Sequence, residues 1–551
     1  MDFPAATDAV LYHESVHAGR GMVAAPHIMA AEAGRDVLAE GGNALEAAIA
    51  TAAASAVLCP HMSHLGGDGV WIIRTPSGRV HHISACGQIG GRATIRHYHD
   101  LGLECIPTRG PQAILTVPGA VAGWSVTMDA ARAAGGRMSL ARLLERAMHH
   151  ARESAPASDA MLHPAQMNLE DLRGAPGFCD IFMHADETRD ELRLLKPGAP
   201  LYQHRLADTL DHLARAGLQD FYSGDVGREI AADLERIGSP LNRTDLESYR
   251  AQEHQPVQVH LKAGTLYSAP PPAPGLTILT VLALLERLNV QKPESPAHLH
   301  GLIEATKQAL LARDRQMKDL ALSSEGAPFR LCPNTLDDMA ACIDSSRAQV
   351  WHPTWSRPAS PPPSLWIGAA DASGLVVSYA QSLHSAFGSG CVLPGTGILM
   401  QNQGTDFSLE PDSPAMLHPG GQALHGMSPA LAQLRSGRVI ACGATGGDDH
   451  MQAQSAIFSR HVMFAMPLGQ SIARPRWHFA HEPGGEHGVL RLEGGFEDAV
   501  LTALRRSGHS IEMLPDIWSE EMGQASAVVL HANGMLEGAD DPRGSGCVRG
   551  I

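Results

Sequence analysis

The sequence predicts a mixed α/β fold of the α+β kind, with helix-rich and strand-rich stretches segregated along the chain. Two observations carry this expectation. From about residue 119 to 330, apolar residues recur at helical spacing, as in Ser139–Arg152, Arg205–Ala216, Val226–Ile237 and Ala297–Leu322. After a proline-rich segment at 352–363, the pattern changes to short β-like runs separated by glycine-rich loops.

Taken in order, Ala30–Gly41 has helical spacing and is stopped by Gly41-Gly42-Asn43. An Ala-rich helix follows to about Pro60. A loop, Pro60-His61-Met62-Ser63-His64-Leu65-Gly66-Gly67-Asp68-Gly69, then enters a strand at Val70–Arg74. Residues 75–95 read as β structure with a Ser-Gly turn. The segment 352–363 is too rich in proline for a helix or a central strand. Leu365–Ala370 and Leu375–Ala380 read as strands joined by the turn Asp371-Ala372-Ser373-Gly374. No internal repeat is present, and the break near 363 is the sharpest boundary in the chain.

Composition bounds the function. The 551 residues carry a formal net charge of −16, which argues against a nucleic-acid partner, because phosphate binding needs clustered Lys and Arg. Hydrophobic content of 44% with 18% charged residues excludes wholesale disorder. No run reaches the roughly 18–20 apolar residues of a membrane span, so no membrane partner is expected. The first residues, Met1-Asp2-Phe3-Pro4, start no signal peptide. Nine scattered cysteines without a C-x-x-C suit a reducing compartment, and the expected location is cytoplasmic.

Two local motifs compete for attention. His13-Glu14-Ser15-Val16-His17 satisfies H-E-x-x-H, which on a helix would place two zinc ligands on one face. Gly19 and Gly21 follow at once, so a core helix is not expected there, and no third ligand stands at a recognisable spacing. Gly426-Met427-Ser428-Pro429-Ala430 misses the G-x-S-x-G nucleophile elbow, and neither a Walker loop nor a dinucleotide fingerprint occurs.

A longer series of motifs spans about residues 20 to 545 in order. It includes Gly21-Met22-Val23-Ala24-Ala25-Pro26-His27, Gly41-Gly42-Asn43-Ala44, Pro60-His61-Met62-Ser63 and Val117-Pro118-Gly119-Ala120. Further on come Phe221-Tyr222-Ser223-Gly224, Phe387-Gly388-Ser389-Gly390, Pro394-Gly395-Thr396-Gly397, Asp406-Phe407-Ser408, Met427-Ser428-Pro429 and Asp540-Asp541-Pro542-Arg543. This series resembles the γ-glutamyltranspeptidase family of N-terminal-nucleophile hydrolases. The resemblance implies a four-layer αββα sandwich and a precursor that cuts itself in two. In that family a hydroxyl residue attacks the preceding peptide bond, and the freed chain then uses this hydroxyl as nucleophile with its own α-amine as base. An α-amine of pKa about 8 suits neutral pH far better than a lysine amine of about 10.4.

Counted without gaps from the Phe387 loop, the family's nucleophile falls on Ser364. The precursor would then yield a large subunit, 1–363, and a small one, 364–551, paired as a heterodimer within one compact unit. Ser364-Leu365-Trp366 replaces the usual Thr-Thr-His, and Pro363 precedes the cut. Backbone amides at Gly446 and Gly447 would form the oxyanion hole. The segment Ser84-Ala85-Cys86-Gly87 lacks the Arg that holds a substrate carboxylate in glutathione-handling members, which argues against γ-glutamyl specificity. His384 stands for a pocket Asn, His425-Gly426 for a Ser pair, and Asp406 keeps the place that receives a substrate amine. Gln403, His425 and Gly446-Gly447-Asp448 lean toward an oxamate-amidohydrolase-like branch. The expected protein is an autoprocessing amidohydrolase acting on a small amide, with no metal or organic cofactor implied. The alternative is an unprocessed, inactive homologue that binds a ligand.

Overall fold

The computed structural model describes residues 13–186, 191–322, 331–350, 364–411, 413, 415–445, 448–480 and 488–551. Two seven-stranded sheets organise these residues. In the first, the strands run Cys547–Gly550, Gly21–Ala25, Ser364–Asp371, Val376–Ser382, Asp68–Arg74, Val80–Ala85 and Gln252–His254. In the second they run Val16–Ala18, Leu536–Ala539, Ala525–Leu530, Val439–Ala444, Ala430–Leu434, Gly264–Ser268 and Val257–His260. Every pairing in both sheets is antiparallel. Strands from before and after position 363 are hydrogen-bonded to one another within each sheet. The two stretches cannot be separate domains.

Period-two alternation divides each strand between two cores. On the first sheet, Trp366, Ala370, Val376, Ala380, Val70 and Ile72 face the second sheet, where they meet Leu431, Val439, Ala441 and Val528. Their neighbours Ile367, Ala369, Val377, Tyr379, Trp71 and Ile73 face helices that include Ile28–Ala39, Ala44–Leu58 and Ala120–Ala133. The outer face of the second sheet packs on helices Gly275–Arg287, Pro296–Leu322 and Asp448–Phe458. Helix, sheet, sheet and helix form the αββα sandwich that the sequence resemblance implies.

Local chemistry sets the helix ends. Asn43 caps Ala44–Leu58 by accepting from the amides of Leu45 and Glu46, while Glu46 accepts from the Asn43 amide at 2.8 Å. That helix is buried along its whole length, which explains its unbroken Ala-rich composition. The helices expected at 139–152, 205–216, 226–237 and 297–322 form within one residue of their expected ends. Helices dominate 119–330 as expected, but Val257–His260 and Gly264–Ser268 add an unexpected hairpin that edges the second sheet. The strand after 75 is also shorter than expected, running only over Val80–Ala85. The proline-rich segment lies outside the described residues.

The sheets approach closely at one point. The Trp366 indole lies over Gly443, donating from Nε1 to Ser378 Oγ at 2.9 Å, and a Cβ at position 443 would sit 2.0 Å from Trp366 Cδ1. Gly443→Ala should therefore lower unfolding free energy by about 1–3 kcal/mol through overpacking, read as a shift in the urea midpoint.

Candidate active site

Ser364 is the first residue of its strand and is paired with Ser382, which pairs in turn with Asp68. Each shares the parity of an inter-sheet core residue two positions on or back: Trp366, Ala380 and Val70. The three side chains therefore form a row on the inner face, at one end of the sandwich. All three are buried. Gly67 lets this end close, since a Cβ there would lie 2.4 Å from the Ser382 carbonyl oxygen.

Asp68 is the most heavily bonded member of the row. Its Oδ1 accepts from the amides of Gly87 and Gly119, each at 3.0 Å, and from Gln401 Nε2 at 3.1 Å. Its Oδ2 is buried without a hydrogen-bond partner among the described residues. Burial outweighs the three donors and pushes the carboxyl up to about 7. Beside it, the Cys86 thiol donates to the Gly69 carbonyl at 3.7 Å and is raised by burial and by Asp68. Sequence reasoning passed over Asp68 as a site residue. Its position after Gly66-Gly67 and before a buried strand was the available signal.

The residues singled out in the second half of the chain gather on the same end. His384 has a left-handed backbone, φ 76°, and its amide donates to Ser382 Oγ at 2.9 Å. Its Nε2 lies 3.6 Å from Asp406 Oδ2, so these two expected pocket residues do meet. Arg109 holds the following turn by donating to the carbonyls of Ala386, at 2.6 Å, and Gly388. Asn402 ties down Ser385, accepting its amide at 3.0 Å while donating to Thr108 O at 2.8 Å. Gln403 Nε2 donates to Leu424 O at 2.6 Å, which fixes the segment carrying His425 and Gly426. A ring nitrogen of His425 lies within 4.8 Å of both a carboxylate oxygen of Asp68 and the Cys86 sulfur. Gly446 and Gly447, expected to line the oxyanion hole, lie outside the described residues.

The approach to that glycine pair is nevertheless well defined. Thr445 and Gln524 exchange two bonds, Thr445 N to Gln524 O at 2.7 Å and Gln524 N to Thr445 Oγ1 at 2.8 Å. The next residue, Ala525, donates to Asp541 Oδ2 at 2.7 Å. Asp541 belongs to a fully buried ionic quartet. Arg543 forks onto Glu493 at 2.7 and 2.6 Å and bonds Asp541 at 3.0 Å, while Arg476 completes the ring on Asp541. Burial would raise the Asp541 carboxyl, but the two guanidinium groups overcome it and hold it below its usual value. The sequence signal Asp540-Asp541-Pro542-Arg543 is thus a structural clamp behind the site.

The H-E-x-x-H match does not form a metal site. Val16–Ala18 is a strand paired with Leu536–Ala539, and His13 Nε2 is 3.1 Å from Asp540 Oδ1. His13 and His17 therefore share no helical face.

Two facing antiparallel sheets clothed by helices on both outer faces are the architecture of an N-terminal-nucleophile amidohydrolase. Comparison with known proteins narrows it. The sequence pattern of Gamma-glutamyltranspeptidase matches residues 30–551. The oxamate amidohydrolase proenzyme of Klebsiella pneumoniae is 40% identical, over 98% of this chain and 100% of that protein. A glutathione hydrolase-like proenzyme of Bacillus subtilis is 34% identical, over 98% and 100% respectively. The crystal structure of cephalosporin acylase from Bacillus halodurans superposes with a TM-score of 0.85 at 27% identity, covering 100% of this chain and 98% of that one. The chain belongs to the γ-glutamyltranspeptidase family.

Removing one member of the buried quartet leaves charges unpaired, so Asp541→Ala should cost about 3–5 kcal/mol in urea unfolding. Because the folded carboxyl is depressed, the stability it contributes is complete at neutral pH. That contribution is lost only as pH falls below the ordinary value of 3.8 and through the folded one. The difference between wild type and Asp541→Ala should therefore shrink in urea titrations carried down through that range.

Proposed function

We propose that this chain is an autoprocessing amidohydrolase whose nucleophile is Ser364. Its Oγ attacks the carbonyl of residue 363, the peptide nitrogen leaves as the α-amine of Ser364, and water hydrolyses the resulting ester. The freed amine then takes the Oγ proton as Oγ attacks the carbonyl carbon of a small amide. The amide nitrogen leaves protonated, and water releases the acid from the acyl-serine. The backbone amides of Gly446 and Gly447 receive the oxyanion in this reading, which for them rests on the family resemblance.

What carries the reading is the setting of Ser364: the buried first residue of an inner strand, turned between the sheets, directly after the proline-rich segment. The proenzyme names of the relatives support cleavage. The 40% identity to an oxamate amidohydrolase supports a short amide bearing a carboxylate. Specificity follows from what lines the pocket. No guanidinium stands in Ser84–Gly87, and Arg109 is spent on backbone carbonyls. His384, paired with Asp406, and His425 with Gly426 and Gln403 then receive the polar end of the substrate. All nine cysteines are unpaired, which supports a cytoplasmic location.

Mass measurement of the purified protein should find two pieces, split before Ser364, whereas Ser364→Ala should remain one chain. A wild type that stays whole and hydrolyses neither oxamate, a γ-glutamyl anilide nor an acyl β-lactam would instead establish a silent binding homologue. Loss of a charge-assisted carboxylate contact is worth roughly 1.5–3 kcal/mol. A γ-glutamyl anilide stripped of its α-carboxylate should accordingly lose less than about 10-fold in kcat/KM, where a guanidinium contact would make that loss about 10- to 100-fold.

A further inference from the structure

The inner end of the sandwich brings a carboxylate, a thiol and an imidazole together around buried oxygens that no hydrogen bond among the described residues satisfies. A carboxylate oxygen of Asp68, the sulfur of Cys86 and a ring nitrogen of His425 all lie within 4.8 Å of one another, and all three residues are buried. Asp68 Oδ1 is committed to three donors, which hold the carboxyl in place, while Oδ2 is buried with no partner among the described residues. Gln401, already bonded to Asp68 through Nε2, carries in Oε1 a second buried oxygen with no partner among the described residues. Orphaned buried oxygens are rare in folded proteins and mark an ion or water that belongs with them.

We propose that Asp68, Cys86 and His425 form a buried binding site for a divalent cation of the zinc class, with Gln401 Oε1 as the candidate fourth ligand; with the cation bound, His425 serves the metal and the substrate contacts of the proposed reaction fall to His384, Gln403 and Gly426. Carboxylate, thiolate and imidazole are the donor set that zinc accepts in tetrahedral sites. Binding displaces the thiol proton of Cys86 to solvent and forms the metal–sulfur bond, with no change of oxidation state. A dication, one carboxylate, one thiolate and a neutral imidazole sum to zero charge, as a buried site requires. Cys86 also stands in the segment where the family resemblance places an Arg.

A second cluster shows why the ligand set alone does not decide the matter. His300, Glu304 and His509 also converge and are buried. There, however, Glu304 accepts from Lys307 Nζ at 2.8 Å and from the Gln349 amide at 3.1 Å. His300 bridges Asp344 O and His509 at 2.8 and 2.9 Å. That cluster already holds its cation in Lys307, and its oxygens have partners.

The Asp68 site also joins separate parts of the chain. Asp68 lies in the first sheet, Cys86 directly follows its strand Val80–Ala85, and His425 comes from the segment leading into the second sheet. If the chain is cut before Ser364, two ligands belong to one piece and one to the other. The site itself does not depend on that cut.

Stripped with chelator and dialysed against zinc, the wild type should hold one equivalent by elemental analysis. Cobalt substitution should give a thiolate-to-metal charge-transfer band. Cys86→Ser should lose that band, and both it and Asp68→Asn should lose the bound equivalent, while His17→Gln in the H-E-x-x-H match keeps both signals. Uncut Ser364→Ala should also keep them, so failure of the cleavage reading leaves this test intact. Should any of these substituted chains fail to fold, the cobalt spectrum of wild type still decides. A wild type that takes up no metal, or cobalt without a sulfur band, overturns the proposal and assigns the space to water.

Discussion

Everything at the inner end of the sandwich depends on the register of one strand. Ser364–Asp371 is hydrogen-bonded on one side to Gly21–Ala25 and on the other to Val376–Ser382. A slip of one residue against either neighbour would turn Ser364 to the helix layer and bring Leu365 between the sheets. Two features resist that slip. Trp366 has its seat over Gly443, and the residues facing the helices, Leu365, Ile367 and Ala369, are all apolar and buried. The hydroxyl is aimed by packing several residues away from it.

Charge is handled in two contrasting ways around this strand. Behind Thr445 and Gln524, two carboxylates and two guanidinium groups neutralise one another completely, so burial is offset by bidentate geometry. At Asp68 the carboxyl meets only neutral donors, and burial pushes its pKa upward. The first arrangement is rigid and self-sufficient. The second leaves a polar atom with unmet capacity beside the very row that carries Ser364.

Much of the framework was legible in the sequence. Helix limits followed from apolar spacing, and the stop at Gly41-Gly42 and the cap at Asn43 are local chemistry that a sequence displays directly. The strands flanking Asp371–Gly374 were equally plain, because nonpolar runs on either side of a turn leave few alternatives. The hairpin at 257–268 was not legible. Its alternation covers few residues, and its burial is conferred by Ala430–Leu434, far away in the chain. The family resemblance alone gave His384 and Asp406 their separate pocket roles, and their contact was not legible at all. Asp68 escaped notice because its partners Gly87, Gly119 and Gln401 are brought to it by three separate loops, and no spacing rule links them.

The interleaving of strands from both sides of position 363 has a kinetic consequence. Intact, the chain can unfold and refold as a single molecule, with its two halves tethered. Severed at the proposed position, the halves would remain locked together by ladders of backbone hydrogen bonds in both sheets, yet a full unfolding event would set them free to diffuse apart. Recovery would then become a second-order encounter that depends on dilution, competing with aggregation of exposed strand edges. A chain cut there would have one opportunity to acquire its architecture, before the cut, and would thereafter endure by the height of its unfolding barrier rather than by equilibrium.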